Sequence, residues 1–517
     1  MISKNSIKNK LQGLTFSSPT KFQQRKLYLY ILLTIERFGD RMWQVVTTFL
    51  IQEWTEKGDN ISSLRYISIF YLVPVVIIAI ALPVLGSKIN RFKRFNVLLT
   101  LTLIQNIGVV ISSLIFVWQL LIAEKNFVVS RFMGFLSLLI LIQSITELCS
   151  KTAGQVCIKR DWIVIVAEQN AQEQQNSEEE KTKTIVLAEI NSWLTIIDMT
   201  VNLFSAIPPL LLWDFTNVYW LIGFVVVWNV LSCSLEIFCM VKLKGMTAAL
   251  GMSPSSPNPE EVPEQNSESS SKTTKNKIST KFTFKKISKP IKLFYNDHLF
   301  IAGLSLSMVY FTILGDNGVT RYYYLANCFR KSIIAVIIAL CAVFGIIGGR
   351  LIQFLITTYS DNLFKPAKIA SMVHWPAYFL CVAGIIPAVP GSLFEPTKSL
   401  NGTDLTIEEL CFDQETGERT KHYTISIILF ALGVILGRIG LWSFDIAVTQ
   451  LFQEKVPENR RNIIGSIQMS LNMILEMLMY ICVIIIDKNY LFGYHVISST
   501  VAICLAHLIF QVKYFTE

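Results

Sequence analysis

The feature that most constrains this chain is a recurrence of apolar runs, each long enough to cross a bilayer. They fall at about 27–52, 64–86, 95–122, 127–156, 184–213 and 217–241, then, after a polar interval, at about 296–320, 331–357, 368–392, 423–450, 463–486 and 490–513. A helical span needs about 20 apolar residues, and in hydrocarbon only helices and closed barrels satisfy every backbone polar group. Runs of this length predict an all-α polytopic membrane protein with twelve transmembrane helices in two six-helix halves. Composition agrees, with 52% of the 517 residues hydrophobic and 16% charged, against roughly 25% charged in soluble domains. The net charge of +9 is spread over loops rather than gathered on one solvated face, so no nucleic-acid partner is expected. No Gly-rich phosphate loop of the Walker type is present, which argues against an ATPase.

Orientation follows from where cations gather in short loops. The tail 1–26, the loop with Lys88, Arg91, Lys93 and Arg94, and the pair Arg460–Arg461 fall on one side, which should be the cytosol, with both termini inside. The first run is too long and too charged for a cleavable signal and should remain as a span. The loop 393–422 is acidic and should be extracellular. It carries Asn401-Gly402-Thr403, and the first outer loop carries Asn60-Ile61-Ser62, both glycosylation acceptors if they face a lumen. Of ten cysteines, eight lie in or beside apolar runs without CxxC spacing and read as small buried hydrophobes, while Cys328 and Cys411 are placed toward the exterior. Prolines 74, 83, 208, 209, 376, 387 and 390 should kink their helices more than break them.

The halves 27–242 and 293–517 are divided by residues 243–292, whose prolines and serines cannot bury a core and predict a disordered cytosolic linker. The linker's Lys-rich end, Lys272 to Lys292, suits the anionic headgroups of membrane lipid. Six spans, a long linker and six more spans match the major-facilitator layout, in which two halves rock about a central site.

Charges inside spans are costly, so they face the bundle interior and mark pathways or relays. Glu36, Asp40 and Gln44 are spaced i, i+4, i+8 on one helix face, with Arg37 and Arg41 beside them. Either this is an internal ion-pair network, or Asp40 and Gln44 form an oxygen-ligand face that Gly39 lets other backbones approach. Asn229 and Glu236 are two turns apart on one face; with Gln105, Asp198 and Asp40 they could form an all-oxygen cage for a hard cation such as Ca²⁺, or make separate interhelical hydrogen bonds. Arg438 and Asp445, also seven apart, are expected to pair with each other's neighbours and stabilise one conformation. Gly315-Asp316-Asn317-Gly318 should end or break the seventh helix, at a cavity or at the outer surface. His507 sits among apolar residues, as a packing group or a ligand.

At these residues the chain resembles the ferroportin family. The resemblance is carried by Gly39-Asp40-Arg41-Met42-Trp43, by Arg160-Asp161-Trp162-Ile163-Val164-Ile165-Val166-Ala167 in the fourth loop, and by Arg438-Ile439-Gly440-Leu441-Trp442-Ser443-Phe444-Asp445 through Thr449-Gln450. It extends over nearly all twelve spans. It implies a major-facilitator exporter of Fe²⁺ across the plasma membrane, proton-coupled and Ca²⁺-activated, with Co²⁺ or other divalent metals as further substrates. It implies that Asp40 serves both the first-half metal site and a calcium site completed by Gln105, Asn229 and Glu236, that Asp198 lies in the same cavity, and that His507 belongs to the second-half metal site.

Two positions depart from the vertebrate pattern. Gln44 stands where a histidine is expected, and Asn317 where a cysteine follows the aspartate, so both sites lose a softer ligand. The missing cysteine also anchors the hormone hepcidin in vertebrate members, so hepcidin is not an expected partner. The mechanism read from the sequence is alternating access by a monomer: a divalent metal is held by Asp40 with Gln44 or by His507 with Asn317, and Arg94, Asp161 and Arg461 gate the cytosolic end. The alternatives are a major-facilitator carrier of an organic solute and a non-transporting receptor or scaffold.

Overall fold

Helices follow each of the twelve apolar runs, and those that depart from simple hydropathy are the informative ones. The computed structural model describes residues 20–56, 63–123, 129–173, 179–205, 207–209, 212, 216–254, 284–315, 320, 324, 331–385, 425–486 and 492–516, with no strand among them. The first half comprises α1 (Lys21–Glu56), α2 (Ser63–Ile89), α3 (Arg94–Ala123), α4 (Val129–Lys151), α5 (Ile163–Glu173), α6 (Glu179–Phe204) and α7 (Val218–Met246). The second comprises α8 (Phe284–Tyr295), α9 (Phe300–Tyr310), α10 (Lys331–Thr358), α11 (Phe364–His374), α12 (Tyr378–Ala383), α13 (Ile425–Lys455), α14 (Glu458–Ile485) and α15 (Phe492–Lys513).

Nine helices among the described residues are long and apolar enough to cross a membrane. The other three runs fail for identifiable reasons. Helix α1 carries Glu36, Arg37, Asp40 and Arg41 in its middle. Helix α9 stops after 11 residues. The ninth run is split between α11 and α12 by a 3₁₀ turn, Trp375–Ala377, where Pro376 has no N–H to continue the ladder. Pro74 and Pro83, in contrast, stay inside a continuous α2. Large apolar side chains such as Trp118, Trp220, Phe354 and Val512 point outward, as a lipid-facing surface requires, while polar groups turn inward.

The run Arg160–Ala167, expected in a loop, is helical. From Lys151 the chain continues through a buried π-helical segment, Thr152–Trp162, straight into α5. Wider turns of this kind gather at functional sites, and this one is pressed by charge: a side chain at Gly154 would meet Arg37 Nη2 at 2.5 Å and Glu36 Oε1 at 2.8 Å. The ends of the expected linker are also ordered. Residues 248–251 form a 3₁₀ turn held by Arg94, whose Nη1 donates to Ala249 O (3.2 Å) and whose backbone N–H donates to Met252 O (3.1 Å); α8 begins at Phe284. The central part of the linker, both glycosylation acceptors, the loop 393–422, Cys328 and Cys411 lie outside the described residues. Of the eight cysteines within them, Cys149, Cys157, Cys239, Cys341 and Cys381 are buried.

The two halves meet along α2–α14 and α6–α10. Ser470 Oγ donates to Ala79 O, and Gly86 lies so close to α14 that an added Cβ would fall 2.0 Å from Ser466 Oγ and 2.8 Å from Asn462 O. Gly349 on α10 packs against Thr195 on α6. This contact runs down to one end of the bundle, where the halves are shut.

Candidate functional site

The polar interior of the first half begins at Asp40, which α1 presents toward α3 and α4. Gln105 Nε2 donates to its Oδ1 (3.3 Å) and Ser150 Oγ to its Oδ2 (2.6 Å). Asn106 Nδ2 donates to Glu236 Oε2 at 3.4 Å. Asn229, two turns earlier on α7, donates to its own helix at Val225 O (2.8 Å). Glu36, Asp40 and Glu236 lie within electrostatic reach of one another, and Glu147 of Asp40 and of Glu476 across the halves. The result is a nest of carboxylates, carboxamides and one serine hydroxyl, in which Glu36, Gln105, Asn106, Asn229 and Glu236 are buried and Asp40 and Glu147 half-buried. Asn106, Ser150 and Glu147 were not picked out from the sequence, although Asn106 follows Gln105 and Glu147 is one more charge within a span.

Gln44 takes a different neighbour. Arg41 Nη1 donates to its Oε1 at 3.4 Å, so a guanidinium occupies the oxygen expected to face a metal beside Asp40. Beneath the nest, Arg37 reaches Glu36 (3.4 Å) and Asp198 (3.5 Å), and Lys159 reaches Asp198 at 3.3 Å. Asp198 therefore serves a charge network with Arg37 and Lys159 rather than the nest itself.

In the second half the last helix brings His507 to His374. His507 Nε2 lies 2.6 Å from His374 Nδ1, and His374 Nε2 lies 3.2 Å from Tyr378 Oη. Both imidazoles are buried. His374, in the apolar ninth run, is the functional candidate that sequence reasoning missed; its signals were that it is one of only five histidines and lies two residues before Pro376. Asn317 lies outside the described residues. The chain before it leaves the helix at Phe311, and Ile313 N–H donates to Ser499 Oγ on α15 at 3.0 Å, so the seventh span breaks one turn earlier than Gly315. Ser499 and His507 share a face of α15, roughly 12 Å apart at 1.5 Å per residue.

Arg438 and Asp445 on α13 serve different halves. Arg438 is buried beside His374 and Tyr378, with Nε and Nη2 lacking hydrogen-bond partners. Asp445 faces Lys159 and Arg160 of the first half.

At the shut end, Arg94 Nε donates to Asp161 Oδ2 at 2.8 Å, and its Nη2 pairs with Glu458 of the second half. Arg461 lies 3.8 Å from Glu168. Asn462 Nδ2 donates to Asn90 Oδ1 (2.8 Å), and Asn90 Nδ2 donates to Asn459 O (2.7 Å). Gln453 joins Asn191 (2.7 Å), and Thr184 donates to Glu454 (2.8 Å). Arg94, Asp161 and Arg461 are thus brought into one inter-half latch, which also takes in Glu458, Glu168 and two asparagines that charge reading alone did not single out. Among the described residues no three His, Cys, Asp or Glu side chains converge to hold a metal.

A family model described as Ferroportin1 (FPN1) matches residues 23–503. The chain belongs to the ferroportin family. It is 27% identical over 540 residues to zebrafish (Danio rerio) solute carrier family 40 member 1, covering 95% of this chain and 91% of that one. To human ferroportin it is 26% identical over 554 residues, covering 97% and 93%. Among solved structures it resembles a bacterial homologue of the iron transporter ferroportin, in its outward-facing state, with TM-score 0.70 at 17% identity over 95% of this chain and 99% of that one. The same homologue facing inward gives 0.56, and the proton:xylose symporter XylE 0.58 at 11% identity, covering 94% and 96%. The fold is that of major facilitators. The protein is a multi-pass membrane transporter of an iron-transporter family and not an enzyme.

Proposed function

We propose that this ferroportin-family chain exports a divalent metal, Fe²⁺ foremost, by alternating access, activated by Ca²⁺ at the first-half nest and coupled to protons. The observation that carries the reading is the shut end: one buried Arg94 bonded at once to Asp161 in its own half and to Glu458 in the other. A latch of this kind stabilises one of two rocking states. Positive-inside charge supports a cytosolic position for this end and both termini, with the plasma membrane as location. The alternative carrier of an organic solute would use the same rocking halves.

The nest fits a hard cation. Asp40 and Glu236 supply charge, Gln105 and Asn229 supply carboxamide oxygens, and Ser150 and Asn106 stand ready beside them. Gln105 and Asn106 turn their amide NH₂ groups to Asp40 and Glu236 and Asn229 turns its own to Val225 O; a bound Ca²⁺ would draw the amide oxygens instead. Because Asp40 holds to Gln105 and Ser150 and Gln44 to Arg41, the first half reads better as the activator site than as a soft-metal site. The test is Co²⁺ flux into proteoliposomes with and without Ca²⁺. Flux that Ca²⁺ raises in the unaltered chain and no longer raises in Glu236→Ala supports the reading; flux of organic solutes without metal flux overturns it.

A further inference from the structure

We infer that His374 and His507 form a two-imidazole metal site in the second half, with His374 as a ligand that the family resemblance does not assign. The inference deepens the exporter reading by naming a nitrogen-preferring ion at that site.

The two histidines are not a self-satisfied packing pair. If both rings are neutral, the short contact consumes one proton between His374 Nδ1 and His507 Nε2, and Tyr378 Oη meets His374 Nε2. His507 Nδ1 is then left buried with no partner, although His507 is only 2% exposed. A buried unpaired ring nitrogen is costly. An ion between the facing nitrogens would take His374 Nδ1 and His507 Nε2 as ligands; His374 Nε2–H would then donate to Tyr378 Oη, which orients the ring as an outer hydrogen-bond acceptor does, while His507 Nδ1–H keeps its unpartnered place. Two nitrogens at about 2.0–2.1 Å from a tetrahedral metal stand about 3.3 Å apart, so the rings need to part by roughly 0.7 Å from their 2.6 Å contact and turn their lone pairs toward the ion.

The backbone is shaped for this. His374 is the last residue of α11, at the break that Pro376 imposes, and broken helices within the membrane line ion sites. Helix α13 admits the pair through two glycines: a Cβ on Gly440 would lie 2.1 Å from His374 Cα, and one on Gly437 2.7 Å from Tyr378 Oη. Phe444 closes the other side, its ring centroid 4.7 Å from that of His507. Imidazoles favour Co²⁺, Ni²⁺, Zn²⁺ and Fe²⁺ over Ca²⁺. The nearby Arg438 guanidinium repels any added cation, which suits a site that must release its ion.

The test uses the full-length chain in lipid nanodiscs, with Asp40→Asn to silence the oxygen nest, and Co²⁺ as probe. X-ray absorption at the cobalt edge should count two imidazoles per bound ion, and His374→Gln should leave one and weaken Co²⁺ binding about tenfold or more. One imidazole or none, or unchanged affinity in His374→Gln, overturns the inference; should that variant not fold, the count on the histidine-intact chain decides. Flux is read separately, with the unaltered chain in proteoliposomes: two-imidazole binding without metal flux would sink the exporter reading and leave this site standing, whereas flux with a single imidazole does the reverse.

Discussion

Gly86 offers the sharpest test of the rocking mechanism, because its neighbours belong to the opposite half. In Gly86→Ala the new methyl would meet Ser466 Oγ at 2.0 Å, Ser466 Cβ at 2.4 Å and the Asn462 carbonyl at 2.8 Å. The serine hydroxyl can rotate away; its Cβ and the carbonyl are fixed to α14 and cannot. Overpacking of this kind costs about 1–3 kcal/mol. The clash exists only while α2 and α14 are closed on each other, so each half keeps its fold and the cost falls on one conformation. A cost of that size shifts a two-state equilibrium about 5–150-fold. Spin labels at the exposed positions Lys88 and Arg460, introduced as cysteines in nanodisc-embedded protein, would report the spacing between halves at this end. A short distance in the parent and a longer, dominant one in Gly86→Ala is expected. If the distribution stays short while the variant merely melts earlier, the clash is absorbed within the closed state and the inter-half reasoning fails.

Asp161→Asn should act on the same equilibrium by leaving the buried Arg94 with only Glu458 and the Ala249 carbonyl; breaking a buried pair costs about 3–5 kcal/mol, and hydrogen exchange at residues 86–94 should rise. Glu236→Ala should greatly weaken Ca²⁺ binding by calorimetry with the fold intact by circular dichroism; unchanged affinity would reject the nest. His507→Ala should lower Co²⁺ transport more than Gln44→Ala, since Gln44 is engaged by Arg41, and equal losses would contradict that assignment. Gln44→His should raise Co²⁺ affinity by returning a nitrogen one turn from Asp40, with an unchanged titration counting against a first-half metal site. Arg438→Gln should tighten Co²⁺ at the histidine pair by removing a nearby positive charge, and weaker binding would mean the guanidinium supports the site instead.

Hydropathy determined much of this protein, because a bilayer penalises each unsatisfied backbone group and so makes span length legible in one dimension. The twelve runs, the all-helical class and the inward placement of charged side chains follow from that penalty alone, and the quoted motifs already carried the family. The same logic blurred wherever function interrupts a span. Arg160 to Ala167 read as a loop because charge interrupts apolarity there, yet a π-helical turn carries the chain on as helix. Asp40 and Gln44 share a face by spacing, but only packing against α3 and α4 gives Asp40 to Gln105 and Ser150 while Arg41 claims Gln44. Arg94 and Asp161 were legible as charges near span ends; that Glu458 joins them depends on how the halves dock. His374 and His507 are 133 residues apart, and no periodicity links α11 to α15. Their meeting was decided by tertiary structure, through a proline break that ends α11 at His374 and two glycines on α13 that let it approach.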